Sequence, residues 1–124
     1  MQVTSVGLIW ISVRDFEKAL LFYTETLGLK LLEKHEEFGW AELEGQDGGT
    51  RFAIAKCQGG EGEIAPGQNG VATFSVDSID SAVDDLKKKG VKLIGGIQEV
   101  PGHVKLQMVQ DGDGNHIQLV ELLG

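Results

Sequence analysis

The sequence holds a single cysteine, Cys57, among 124 residues. An internal disulfide is therefore excluded, and the usage fits a reducing, cytoplasmic setting. Positive charge is scarce: 11 Lys and Arg stand against 19 Asp and Glu, for a formal net charge of −8. Grip on a phosphate backbone needs a basic surface, so nucleic acid is not an expected partner. No apolar run approaches the roughly 20 residues of a membrane span, and no signal-peptide pattern opens the chain; neither membrane insertion nor export is expected. The Gly-rich stretch 58–70 lacks the Gly-Lys-Ser/Thr ending of a phosphate-cradling loop, so no nucleotide is implied.

What the chain does have is a repeat. Gly7-Leu8-Ile9-Trp10-Ile11-Ser12-Val13 stands against Gly70-Val71-Ala72-Thr73-Phe74-Ser75-Val76, an offset of 63 residues. Gly28-Leu29-Lys30-Leu31 matches Gly90-Val91-Lys92-Leu93 at 62 residues, and Gly49–Ala55 matches Gly114–Val120 in pattern at 65. Only two copies exist and the period is too long for a solenoid, which leaves a duplicated half-domain. With 41% hydrophobic residues and this length, the chain is expected to form one domain with an ordinary core.

Residues 3–13 read as a strand rich in Val, Ile and Trp. Asp15 offers a capping oxygen for a helix whose stripe is Phe16, Ala19, Leu20, Tyr23 and Leu27, closed by Gly28. Strands are expected at 29–36, 39–44 and 50–57. After the 58–70 linker the order recurs: a strand at 71–76, a helix near 78–89 with an acidic start from Asp77, and strands near 91–99, 103–110 and 115–122. Lys87, Lys88 and Lys89 complement the negative end of that second helix rather than forming a binding patch. Gly95-Gly96 reads as a loop or bulge. Each half is thus β-α-β-β-β: residues 1–57 and 71–124.

Val13-Arg14-Asp15, Phe22-Tyr23 and Leu27-Gly28-Leu29, in that order, resemble the opening signature of the vicinal-oxygen-chelate superfamily, which includes glyoxalase I, extradiol dioxygenases and fosfomycin and bleomycin resistance proteins. Asp111-Gly112-Asp113-Gly114-Asn115 resembles its closing Asp-Pro-Asp-Gly-Asn run, with Gly112 in place of Pro. The resemblance covers nearly the whole chain. It implies an α+β fold in which tandem βαβββ modules form a curved, partly open mixed sheet around a cleft, and it suggests a homodimer.

In metal-dependent relatives four strand positions supply ligands. The resemblance places them at Leu8, Ala53, Val71 and Gln118. Leu, Ala and Val carry no donor atoms, and one amide oxygen satisfies neither a zinc site nor a non-haem iron site. No metal and no cofactor are therefore expected. Strand alternation turns Val6, Leu8, Trp10 and Ser12, with Arg51, Ala53, Ala55 and Cys57, toward the expected cleft. From the second half come Val71, Thr73 and Ser75, with His116, Gln118 and Val120. Ile9, Ile11, Val13, Phe52, Ile54, Ala72, Phe74, Val76, Ile117 and Leu119 take the opposite face, under the helices. The candidate ligand-binding residues are Trp10, Arg51, Thr73, His116 and Gln118, with Gln107 a further polar candidate. Arg51 has two readings, a clamp for a ligand carboxylate or a partner for a nearby Glu; Glu42 and Glu44 alternate on one strand face. His116 is the one candidate acid or base.

These residues point to metal-independent binding of a small, largely apolar or aromatic organic molecule, similar to the bleomycin-resistance branch. The alternative is a glyoxalase-like lyase or isomerase whose metal ligands are misplaced by this alignment or unconventional.

Overall fold

The computed structural model describes residues 2, 4, 6–59, 64–68 and 71–124. Val3, where the first strand is expected to begin, and Gly60, Gly62, Asn69 and Gly70 around the expected linker lie outside the described residues. The first strand, β1, runs Leu8–Val13, so Val6 precedes it. Helix α1 (Phe16–Leu21) continues into a π-helical segment, Phe22–Thr26. Strands β2 (Lys30–His35), β3 (Trp40–Gly45) and β4 (Gly48–Lys56) follow. The second half repeats this as β5 (Ala72–Ser75), α2 (Ile79–Lys88), β6 (Lys92–Val100), β7 (Val104–Gln110) and β8 (His116–Leu122). The chain divides into two compact units, Met1–Asn69 and Gly70–Gly124. Each is an α+β module with one open four-stranded sheet.

The sheet orders are β1-β4-β3-β2 and β5-β8-β7-β6. In each, the first strand runs parallel to the last and the other neighbours are antiparallel. The duplication extends to hydrogen-bond register. Trp10 pairs with Ala53, and Thr73 pairs with Gln118. Offsets of 63 residues on the first strand and 65 on the last carry one pair onto the other.

Local chemistry explains the elements. The Asp15 carboxylate accepts the Lys18 amide at 3.1 Å and starts α1. Gly28 and Gly90 take positive φ after the helices, where a side chain would be strained. At α2 the cap is Ser78, not Asp77: its hydroxyl accepts the Ser81 amide at 3.2 Å. Lys87 and Lys88 fill the last turn, and Lys89 pairs with Asp85 at 3.0 Å. The predicted bulge is present. Pairing of β6 with β7 shifts between Ile94 and Gln98, and Gly95 has φ +69°.

Each core lies between one sheet face and its helix. In the first unit Ile11, Val13, Ala41, Leu43, Phe52 and Ile54 are buried with Phe16, Ala19, Leu20 and Tyr23. The Tyr23 ring stands 4.8 Å from Phe52. In the second, Ala72, Val109, Ile117 and Leu119 are buried with Ile79, Val83 and Leu86. Each fully buried Ile or Leu contributes about 1.5–3 kcal/mol. Ile9 departs from the expectation at 45% exposure. It lies near the start of an edge strand, while α1 packs chiefly on β4. Phe74, on the edge strand β5, is only half-buried, as is Val76 just beyond it.

Candidate functional site

In the first module, ladder pairing assembles one sheet face away from α1. One row runs Trp10, Ala53, Glu42, Glu33; the next runs Ser12, Ala55, Trp40, His35; and Leu8 lies beside Arg51. Cross-strand pairing dictates this set, because directly paired residues project to the same side of a sheet. Ala53 is fully buried between Trp10 and Glu42 in its row, and Ser12 is also buried. Trp10 remains 39% exposed. Its ring lies 6.3 Å from that of Trp40, tilted by 51°. The two tryptophans of the chain thus form one pair on one face.

Trp40 and Glu33 were not among the sequence candidates. The signal for Trp40 was present, since Trp40, Glu42 and Glu44 alternate along β3 and share a face. Glu33 was hidden by the irregularity between Leu31 and Glu33, which breaks simple alternation along β2.

Arg51 takes the second of its two readings. Its Nη1 lies 2.7 Å from Glu33 Oε2 and 2.8 Å from Glu42 Oε1. The Trp40 indole N–H donates to the other Glu42 oxygen at 3.0 Å. The Arg51 guanidinium, helped by that indole, holds the Glu42 carboxyl below the usual carboxylate range. Glu42 and Glu33 in turn raise Arg51 above its ordinary value. The side chain expected as a ligand clamp is therefore engaged within its own module. His35 lies 3.5 Å from the remaining Glu33 oxygen.

In the second module the corresponding face places Lys92 in the row of Gln110 and His116. Thr73 is exposed, and its hydroxyl donates to Gln118 Oε1 at 3.2 Å. His116 is exposed at the start of β8, two residues from Gln118 and on the same face. Gln118 pairs with Met108 where Ala53 pairs with Glu42. Val71 precedes β5 and is exposed; Val120 is buried. Gln107 is a correction: it is buried on the opposite side. Its amide donates to the carbonyls of Gly95 at 3.0 Å, Met108 at 2.9 Å and Ile94 at 3.4 Å, so it holds the β6 bulge. The Asp111–Asn115 loop is likewise structural. Asp111 accepts the backbone amides of Asp113 and Asn115 and the Asn115 side chain, each at 2.9 Å.

The four positions aligned with family metal ligands do not fit a metal. Leu8, Ala53 and Val71 offer no donor, and the Gln118 oxygen accepts from Thr73. Among the described residues, no group of three or more His, Cys, Asp and Glu is placed to hold one. A cavity of about 400 Å³ lies elsewhere in the first module, lined by Arg14, Asp15, Phe16, Glu17, Glu36, Gly39 and Lys56. Its charged lining suits an apolar ligand poorly, and it contains none of the sequence candidates. Among the described residues, no helix is long and apolar enough to cross a membrane.

The family model of the Glyoxalase/Bleomycin resistance protein/Dioxygenase superfamily matches residues 5–119. No curated protein matches the chain. Solved structures do. A member of that superfamily from Sphaerobacter thermophilus DSM 20745 superposes with a TM-score of 0.83 at 27% identity, covering 96% of this chain and 98% of its own. TnmS3, an antibiotic binding protein from Streptomyces sp. CB03234, gives 0.76 at 27% identity, covering 98% of each. A glyoxalase/bleomycin resistance protein from the same organism gives 0.76 at 28% identity, covering 93% and 98%.

Proposed function

The chain belongs to the Glyoxalase/Bleomycin resistance protein/Dioxygenase superfamily, and on that premise we propose that it binds a small, largely apolar or aromatic organic molecule without a metal. The observation that carries this reading is the Trp10–Trp40 pair, partly exposed on a face whose metal-aligned positions hold Leu8 and Ala53. Such a face offers stacking area and dispersion beside the Arg51–Glu33–Glu42 cluster. The likeness to an antibiotic binding protein supports the same reading. Trp10 is the principal contact. Thr73, His116 and Gln118 are proposed as polar ligand contacts on the second module's own face. We assign the protein to the cytoplasm, in keeping with its lone cysteine.

The test is a thermal-shift screen of planar aromatic compounds, run with and without chelator, beside metal analysis of protein purified without chelators. Stabilisation by aromatics in both conditions, with metal well below one equivalent, is the expected result. Stoichiometric nickel, zinc, manganese or iron would overturn the reading in favour of a metal-dependent enzyme.

A further inference from the structure

Charge beside the tryptophan pair is not balanced. Arg51 Nη1 contacts two carboxylates, Glu33 at 2.7 Å and Glu42 at 2.8 Å. One guanidinium against two carboxylates leaves a surplus negative charge. Glu42 has both oxygens engaged, by Arg51 and by the Trp40 indole. The second Glu33 oxygen lies 3.5 Å from the His35 imidazole, whose other nitrogen lies 3.8 Å from a further carboxylate, Glu37. Farther along the same face Lys30 and Glu44 pair at 3.4 Å and cancel. The chain as a whole carries −8.

We infer that this face selects planar aromatic molecules that carry a positive charge. An anionic ligand would have to draw Arg51 away from two carboxylates and then sit against the charge left behind. A cationic ring meets the electron-rich faces of two tryptophans and the uncompensated carboxylate together. Arg51 then acts as a positioning residue that sets the Glu33 and Glu42 carboxylates beside the indoles, not as the group that meets the ligand. The inference rests on the proposal that the Trp10–Trp40 face is a binding surface.

The experiment titrates the protein with N-methylacridinium, acridine and acridine-9-carboxylate in mildly alkaline, low-salt buffer. These probes share a ring system and differ in charge. Trp10 and Trp40 are the only tryptophans, so quenching of indole emission reports on this face alone. The cation is expected to bind about tenfold more tightly than neutral acridine, and the anion most weakly. Added salt should narrow the gap. Glu33→Gln should cut cation affinity several-fold and leave neutral acridine unchanged; the Glu33 side chain is substantially exposed, so folding is little affected. Equal binding of cation and neutral ring, or tightest binding of the anion, would overturn the charge inference and leave the binding surface standing. No saturable quenching by any aromatic probe, these or those of the wider screen, would defeat both.

Discussion

Glu42 joins the aromatic and charged parts of the face, because its two oxygens meet the Trp40 indole and the Arg51 guanidinium. Its depressed pKa has a consequence for stability. A carboxyl that titrates lower when folded contributes fully above its unfolded value of about 4.3 and loses that contribution as pH falls through its folded value. Urea midpoints of the wild type and Glu42→Gln should therefore differ at neutral pH and converge in acid. A gap that persists unchanged in acid would contradict the ion-pair account. Trp40→Ala should weaken aromatic binding about tenfold or more, as loss of a partly buried aromatic contact does, measured by calorimetry. Trp10→Ala should do the same.

At the scale of the element, the bulge in β6 depends on a residue the sequence made look like a ligand contact. Gln107→Leu preserves size but leaves the Gly95 carbonyl without its amide partner. A loss of about 1–3 kcal/mol is expected from chemical unfolding, with aromatic affinity unchanged. Asp15→Ala should cost about 1 kcal/mol through loss of the α1 cap. Elements were legible because local chemistry fixes them: Asp15 before an apolar stripe, glycine after it, alternation in each strand. Gln107 misled because its position along β7 does not reveal which face the strand presents; the kink at Gly95 and its open carbonyls decide that. Ile9 misled for a different reason. Its pattern matches Ile11 and Val13, but exposure depends on where the helix ends over the sheet.

At the scale of the molecule, the duplication was the most legible feature, since the repeat in sequence is a repeat in strand order and register. Its asymmetry was much less so. The repeat mate of Trp10 is Thr73 and that of Glu42 is Met108, so the tryptophan pair and the Arg51–Glu33–Glu42 cluster fall on the first module. Only the cross-strand neighbours of Ala53 reveal this, and they come from residues far apart in sequence. The resemblance to the superfamily also suggests a homodimer; sedimentation at micromolar concentration should give twice the 13.4 kDa chain mass, and a clean monomer would refute it. The central claim is that the family frame here binds an aromatic ligand without a metal. Equilibrium titration of tryptophan emission with a tightly binding aromatic probe, in matched samples with and without excess chelator, tests it most directly. The account predicts saturable quenching with the same affinity in both. Binding that disappears on chelation and returns on adding back a single divalent metal would contradict it.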